Sequence, residues 1–159
     1  MAALNAHQVQ YLIVGGLAVV AHGYVRFTAD IDLMLSVEPQ NLTRAVKALK
    51  TLGYRPRAPV AFEEFVDPAA RRRWADEKGM TVFSLFSDAH RATEVDLFLE
   101  PPIDFGEAYE RAVRQELSPG VEAVFCGLDD LIHLKTQAGR HSDVQDPRNL
   151  RRLQIHKDE

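Results

Sequence analysis

The chain switches repeatedly between short apolar runs and stretches with helical spacing. Tyr11-Leu12-Ile13-Val14 is a run of four apolar residues closed by Gly15, which predicts a buried strand. Thr28 to Leu35 predicts a second strand, in which Ile31 and Leu33 turn into the core. Between them, Leu17 to His22 reads as a short helix stopped by Gly23, and residues 2–9 read as another. Pro39 opens a helix to about Leu52, with Leu42, Val46, Leu49 and Leu52 on one face and Gly53 beyond its end. Thr81 to Phe86 and Glu94 to Leu99 flank a polar turn and predict a hairpin, closed by Pro101-Pro102. Phe105 to Leu117 is read as a helix, Val121 to Phe125 as a last strand, and Leu128 to Ala138 and Pro147 to Gln154 as helices. Residues 54–80 hold three prolines and one predicted helix, through Arg71-Arg72-Arg73-Trp74.

These elements predict an α+β fold. Neither an internal repeat nor a linker divides the chain, so residues 1–159 are expected to form one domain, with C-terminal helices from about 127 to 156 packed on it.

Composition narrows the function classes. The chain is 46% hydrophobic and 26% charged, ordinary for a globular protein, and its formal net charge of -4 gives no overall basic field for nucleic acid. Cys126 is the only cysteine, which excludes an intramolecular disulfide and a cysteine zinc cluster and fits a reducing cytoplasm. The N-terminus has no secretory signal, and the longest apolar stretch, Tyr11 to Ala21, is too short for a bilayer. A cytoplasmic protein without membrane attachment is expected.

The candidate chemistry lies in the acids. Asp30 and Asp32 are two residues apart, so on a strand they project from the same face. Two neighbouring carboxylates repel and lose hydration on a mostly buried strand, and a divalent cation relieves both costs. Asp96 sits in the apolar run Glu94 to Leu99, and it converges with the other two if the strands are neighbours. Oxygen donors without histidine or cysteine suit Mg²⁺ or Mn²⁺ rather than zinc. Gly15-Gly16 leave backbone N–H groups open at a helix start, where phosphate binds readily. Metal with phosphate points to phosphoryl-group chemistry, with Asp30 and Asp32 holding the metal and Asp96 as ligand or proton acceptor.

Val14-Gly15-Gly16, then Asp30-Ile31-Asp32-Leu33, then Asp96 resembles the polymerase-beta-type nucleotidyltransferase superfamily in order and spacing. Arg26-x-Thr28-x-Asp30-Ile31-Asp32 is similar to the small bacterial stand-alone members that include AbiEii-like toxins. So is the tail, with Leu131-Ile132-His133-Leu134-Lys135 followed by Arg140, Asp143 and Asp146. Gly16 stands where many relatives have Ser, and Ser142 where toxin-like members often have Lys.

The resemblance implies a nucleotidyltransferase fold, a small mixed sheet flanked by helices. It implies Mg²⁺-dependent transfer of an NMP group from an NTP to an acceptor hydroxyl on a tRNA, a protein or a small molecule. A toxin–antitoxin partner protein is also implied. The site residues would be Asp30, Asp32 and Asp96 for catalysis and metal, and Gly15, Gly16, Arg26, Thr28, Lys135 and Arg140 for the nucleotide phosphates. The alternative is a non-catalytic or weakly catalytic nucleotide-binding partner, antitoxin-like, on the same scaffold.

Several residues carry a second reading. Lys135 and Arg140 either clamp a triphosphate or sit on a solvated helix face. Arg26 either touches phosphate or neutralises the carboxylates, and Thr28 also reads as fixing the local backbone. Asp143 orients Arg140, takes part in proton transfer or caps the next helix. Arg71-Arg72-Arg73-Trp74 offers a nucleic-acid patch or a surface helix anchored by its tryptophan. His22 reads as packing.

Overall fold

The structure, a computed structural model, describes residues 1–138, 148–152 and 155. Up to Ala138, fourteen elements follow in chain order. They are α1 (Ala2–Ala6), β1 (Tyr11–Val14), α2 (Gly15–Ala21), β2 (Ile31–Leu35), α3 (Pro39–Thr51), β3 (Arg55–Pro56), a 3-10 turn (Phe62–Val66) and α4 (Pro68–Lys78), then β4 (Val82–Phe86), β5 (Val95–Phe98), α5 (Phe105–Glu110), β6 (Val113–Ser118), β7 (Val121–Phe125) and α6 (Leu128–Ala138). The strands form one mixed sheet in the order β3-β4-β5-β2-β1-β7-β6, flanked by helices. β2 runs parallel to β5, and β1 runs parallel to β7, while the other neighbours are antiparallel.

Alternation along the strands divides the sheet's two faces. Phe83 and Leu85 of β4 and Val95 and Leu97 of β5 are buried on one face. There Phe83 packs against Phe62, Phe65 and the stacked ring of Trp74, 5.0 Å away. Ile31 and Leu33 line a cavity on the same side with Leu49 of α3 and Leu52 just beyond its end. Val82, Asp96, Phe98 and Asp32 face the other side, toward α6. Asn41 ties α3 to the strands it covers. It is 1% exposed, and its side chain accepts from the Gln10 N–H (2.8 Å) and donates to the Gln10 and Ser36 carbonyls (3.1 and 2.8 Å).

Several boundaries differ from the sequence reading. The predicted helix Phe105 to Leu117 stops at Glu110, and its second half is strand β6. Pro119-Gly120, with Gly120 at φ +76°, makes a tight turn that pairs β6 with β7, and that pairing outweighs the helical spacing upstream. The second strand begins at Ile31, because residues 24–30 form no regular structure and leave Val25 and Phe27 exposed. α1 ends at Ala6, just before Gln8 at φ 55°. α2 begins at Gly15 itself. Within 54–80, β3 and the 3-10 turn join the predicted helix. In the C-terminal segment residues 148–152 are helical and Leu150 is buried. Among the described residues, no helix is long and apolar enough to cross a membrane.

Candidate active site

The parallel pairing of β2 and β5 sets Asp32 directly opposite Asp96. Each strand alternates, so the neighbouring Leu33 and Leu97 go to the core while both carboxylates go to the opposite face. A cleft of about 430 Å³ opens there, lined by both acids with Gly15, Phe98, Leu134 and Lys135 among its walls. Like charges directly opposite one another destabilise a sheet.

Each wall of the cleft has a local cause. β1 ends at Gly15, which sits at φ +67°, a conformation open to glycine at little cost. A Cβ at this position would lie 2.0 Å from Asp32 Oδ2. The glycine therefore lets the backbone press against the carboxylate at the start of α2. On α6, Lys135 follows Leu131 by one turn and shares its inward face, leaving Lys135 9% exposed within the cleft. Its long stem packs along apolar neighbours, while an ammonium supplies positive charge to the cleft.

Ser84 is the residue that sequence reasoning missed. It lies opposite Asp96 on β4, and its hydroxyl donates to Asp96 Oδ1 at 2.6 Å. That bond fixes one oxygen of the carboxylate and leaves the other for chemistry. The alternation Val82-x-Ser84-x-Phe86 signals which face Ser84 occupies, but only the hairpin register brings it to Asp96.

The remaining expected site residues are distributed unevenly. Asp30 precedes β2, is exposed, and does not line the cleft. Among the described residues no three His, Cys, Asp or Glu side chains gather closely enough to hold a metal ion, so two acids meet where three were expected. The cause is the late start of β2: outside the strand, Asp30 is not bound by its alternation. Thr28 and Arg26 lie over Gly16, where an added Cβ would stand 2.8 Å from Thr28 Oγ1 and 3.7 Å from Arg26 Cζ. Thr28 also donates weakly to the Asp30 carbonyl, at 3.5 Å. Arg140, Ser142, Asp143 and Asp146 lie outside the described residues.

Other candidates resolve into structure. Arg71 is 3% exposed and donates to the Phe65 and Val66 carbonyls at 2.7 and 3.0 Å, so it braces the 3-10 turn rather than facing solvent. Trp74 anchors α4 on Phe83. His22 is buried, with Nε2 2.8 Å from the Cys126 carbonyl. Burial pushes the Cys126 thiol up to about 12, with the charge of Asp130 adding to the effect, so it is no nucleophile at neutral pH. A larger groove of about 680 Å³ beside α3 is mostly apolar and holds the Lys50–Glu63 ion pair, without a converging pair of acids.

No family model matches this chain, and no curated protein matches it.

Proposed function

We propose that the cleft catalyses nucleotidyl transfer from an NTP to an acceptor hydroxyl, on a nucleotidyltransferase-type fold. The observation that carries this reading is Asp32 opposite Asp96 at the mouth of a glycine turn, facing a cleft with a buried lysine. The donor set suits a hard divalent cation, since both groups are carboxylates that line one cleft. Asp32 and Asp96 would hold Mg²⁺ or Mn²⁺, with Asp30 joining from the adjacent segment. When bound, such an ion neutralises charge on the phosphates and lowers the pKa of an attacking hydroxyl.

The chain's own residues supply the rest. The acceptor oxygen bonds to the α-phosphorus in line with the departing pyrophosphate, whose P–O bond breaks. Asp96, held at Oδ1 by Ser84, offers its other oxygen to the acceptor's proton. Lys135 offsets negative charge on the pyrophosphate, and Arg140 does the same in this scheme. Gly15 and Gly16 line the phosphates with backbone N–H groups, next to Arg26 and Thr28. No covalent enzyme intermediate is needed, because positioning and electrostatics lower the barrier.

The test is incubation with each labelled NTP, Mg²⁺ and cell extract, followed by fractionation into RNA, protein and small molecules. One fraction is expected to take up label, and Asp32→Ala or Asp96→Ala to abolish the uptake with an unchanged circular dichroism spectrum. Full activity in either variant refutes the mechanism.

One observation favours a second reading, a nucleotide-binding partner without turnover. Asp30 stands outside the cleft lining, and the described residues assemble no three-donor metal group. Calorimetry with NTP and Mg²⁺ separates the cases. Binding without label transfer supports the partner, and label transfer excludes it.

A further inference from the structure

The two edges of the sheet are built differently. One edge is β3, only two residues long and ending in Pro56, which has no N–H to offer. The other is β6, six residues without proline, and among the described residues no strand pairs beyond it. Five of its six residues are exposed, with Val113 at 36% and Leu117 at 53%. Such a strand presents a row of backbone donors and acceptors ready for another strand.

The order of side chains along β6 selects that other strand. Val113-Arg114-Gln115-Glu116-Leu117 is self-complementary about Gln115. In antiparallel pairing of two copies centred there, Gln115 meets its own copy and Arg114 meets Glu116, while Val113 approaches Leu117, where the ladder with β7 is irregular between Glu116 and Ser118. The two-fold axis repeats the last two pairs. Opposite charges and paired apolar residues across antiparallel strands stabilise, whereas like charges in those positions destabilise. Charges on an edge usually keep strands apart, but here they match only in this register.

We infer that β6 pairs with β6 of a second copy, making a symmetric dimer whose sheet runs continuously through both chains. A two-fold interface of this kind uses one patch twice and closes on itself, so the pairing stops at two. In the sheet order, the carboxylate cleft lies on the far side of β1 and β7 from this edge. The inference is thus independent of what the cleft does.

Charge reversal tests it, read by light scattering and sedimentation of the full chain over a wide concentration series. The wild type is expected to be a dimer. Arg114→Glu and Glu116→Arg, each creating two like-charge contacts, are expected to weaken association by about tenfold or more. The double reversal restores complementarity and the dimer. An equimolar mixture of the two single variants forms a heterodimer, which keeps the test decisive if the double variant fails to fold. Glu122→Gln removes the partner of Arg114 within the chain, and the dimer is expected to persist. A monomeric wild type overturns the inference. So do single reversals that remain dimeric, and so does a mixture that stays monomeric.

Discussion

Gly15→Ala probes the site without any assumption about its substrate. Two separate costs are expected. The first is backbone: an L residue at φ +67° has its Cβ against its own carbonyl, worth about 1–2 kcal/mol. The second is contact: the new methyl would sit 2.0 Å from Asp32 Oδ2 and 2.8 Å from Asp32 Cγ, so the carboxylate or the turn must move. Overpacking of that kind costs about 1–3 kcal/mol, bringing the sum to about 2–5 kcal/mol. In an Asp32→Ala background the carboxylate is gone, and the nearest remaining atom is the residue-32 Cβ at 3.1 Å. There only the backbone cost should remain, so the double-mutant cycle should show a coupling of about 1–3 kcal/mol. Urea unfolding supplies the numbers, followed by circular dichroism and by the fluorescence of Trp74, the only tryptophan and a core residue. Gly16→Ala is the control. Its backbone has no positive φ and its contact is with Thr28, so its cost should be smaller and unaffected by Asp32→Ala. A Gly15→Ala cost that is the same in both backgrounds would mean that the carboxylate does not press on the turn, and the geometry of the cleft would fall with it.

Two further outcomes follow from the site and its floor. Asp96→Asn keeps an acceptor for the Ser84 hydroxyl while removing the repulsion with Asp32, so it should raise stability by about 0.2–1 kcal/mol while abolishing label transfer; a loss of stability in urea would mean that the acid pair is structural. The Cys126 thiol ordinarily titrates near 9.0 and is pushed up to about 12 in the fold, mainly by burial. The unfolded chain therefore loses its proton first, and stability present below pH 9 should decline between pH 9 and 12. At pH 10 the thiol alone should cost about 1.4 kcal/mol, checked by comparing the wild type with Cys126→Ala in urea at pH 8 and 10. An equal pH response in the two would remove the argument.

The acid pair was legible because each aspartate interrupts an otherwise apolar run, and alternation then fixes the face on which it lies. The expectation that the two strands would be neighbours rested on chemistry, and the parallel register of β2 and β5 provides it. Asp30 was placed beside Asp32 because the strand was read from Thr28, which puts both acids in one alternation. The strand begins only at Ile31, after an irregular segment that leaves Phe27 exposed. For β6 the informative signal was Pro119-Gly120 between two runs of strand length, and the helical spacing of Phe105 to Val113 concealed it. Lys135 could be read from its place on the apolar face of its helix. Ser84 could not, because a hairpin with a long connection hides its own register.

The position of the acid pair within the fold carries a further argument. Asp32 and Asp96 are each the second residue of their strand, and Val14, the partner of Asp32 on β1, is the last residue of its own. The cluster therefore sits at one end of the sheet, where a strand gives way to a helix through a glycine at positive φ. Elsewhere buried polar groups are held within the fold: Asn41 has its hydrogen bonds, and Arg71 lies on carbonyls. Glu116 opposite Glu122, beside Gly120 at positive φ, is a like-charge pair in solvent, whereas at the Asp32–Asp96 pair a cleft holds two like charges and an unusual backbone angle together. Stability alone favours neither, since an apolar pair and an ordinary turn would serve it better. A cleft that keeps both, against stability, is where the proposed binding is to be tested.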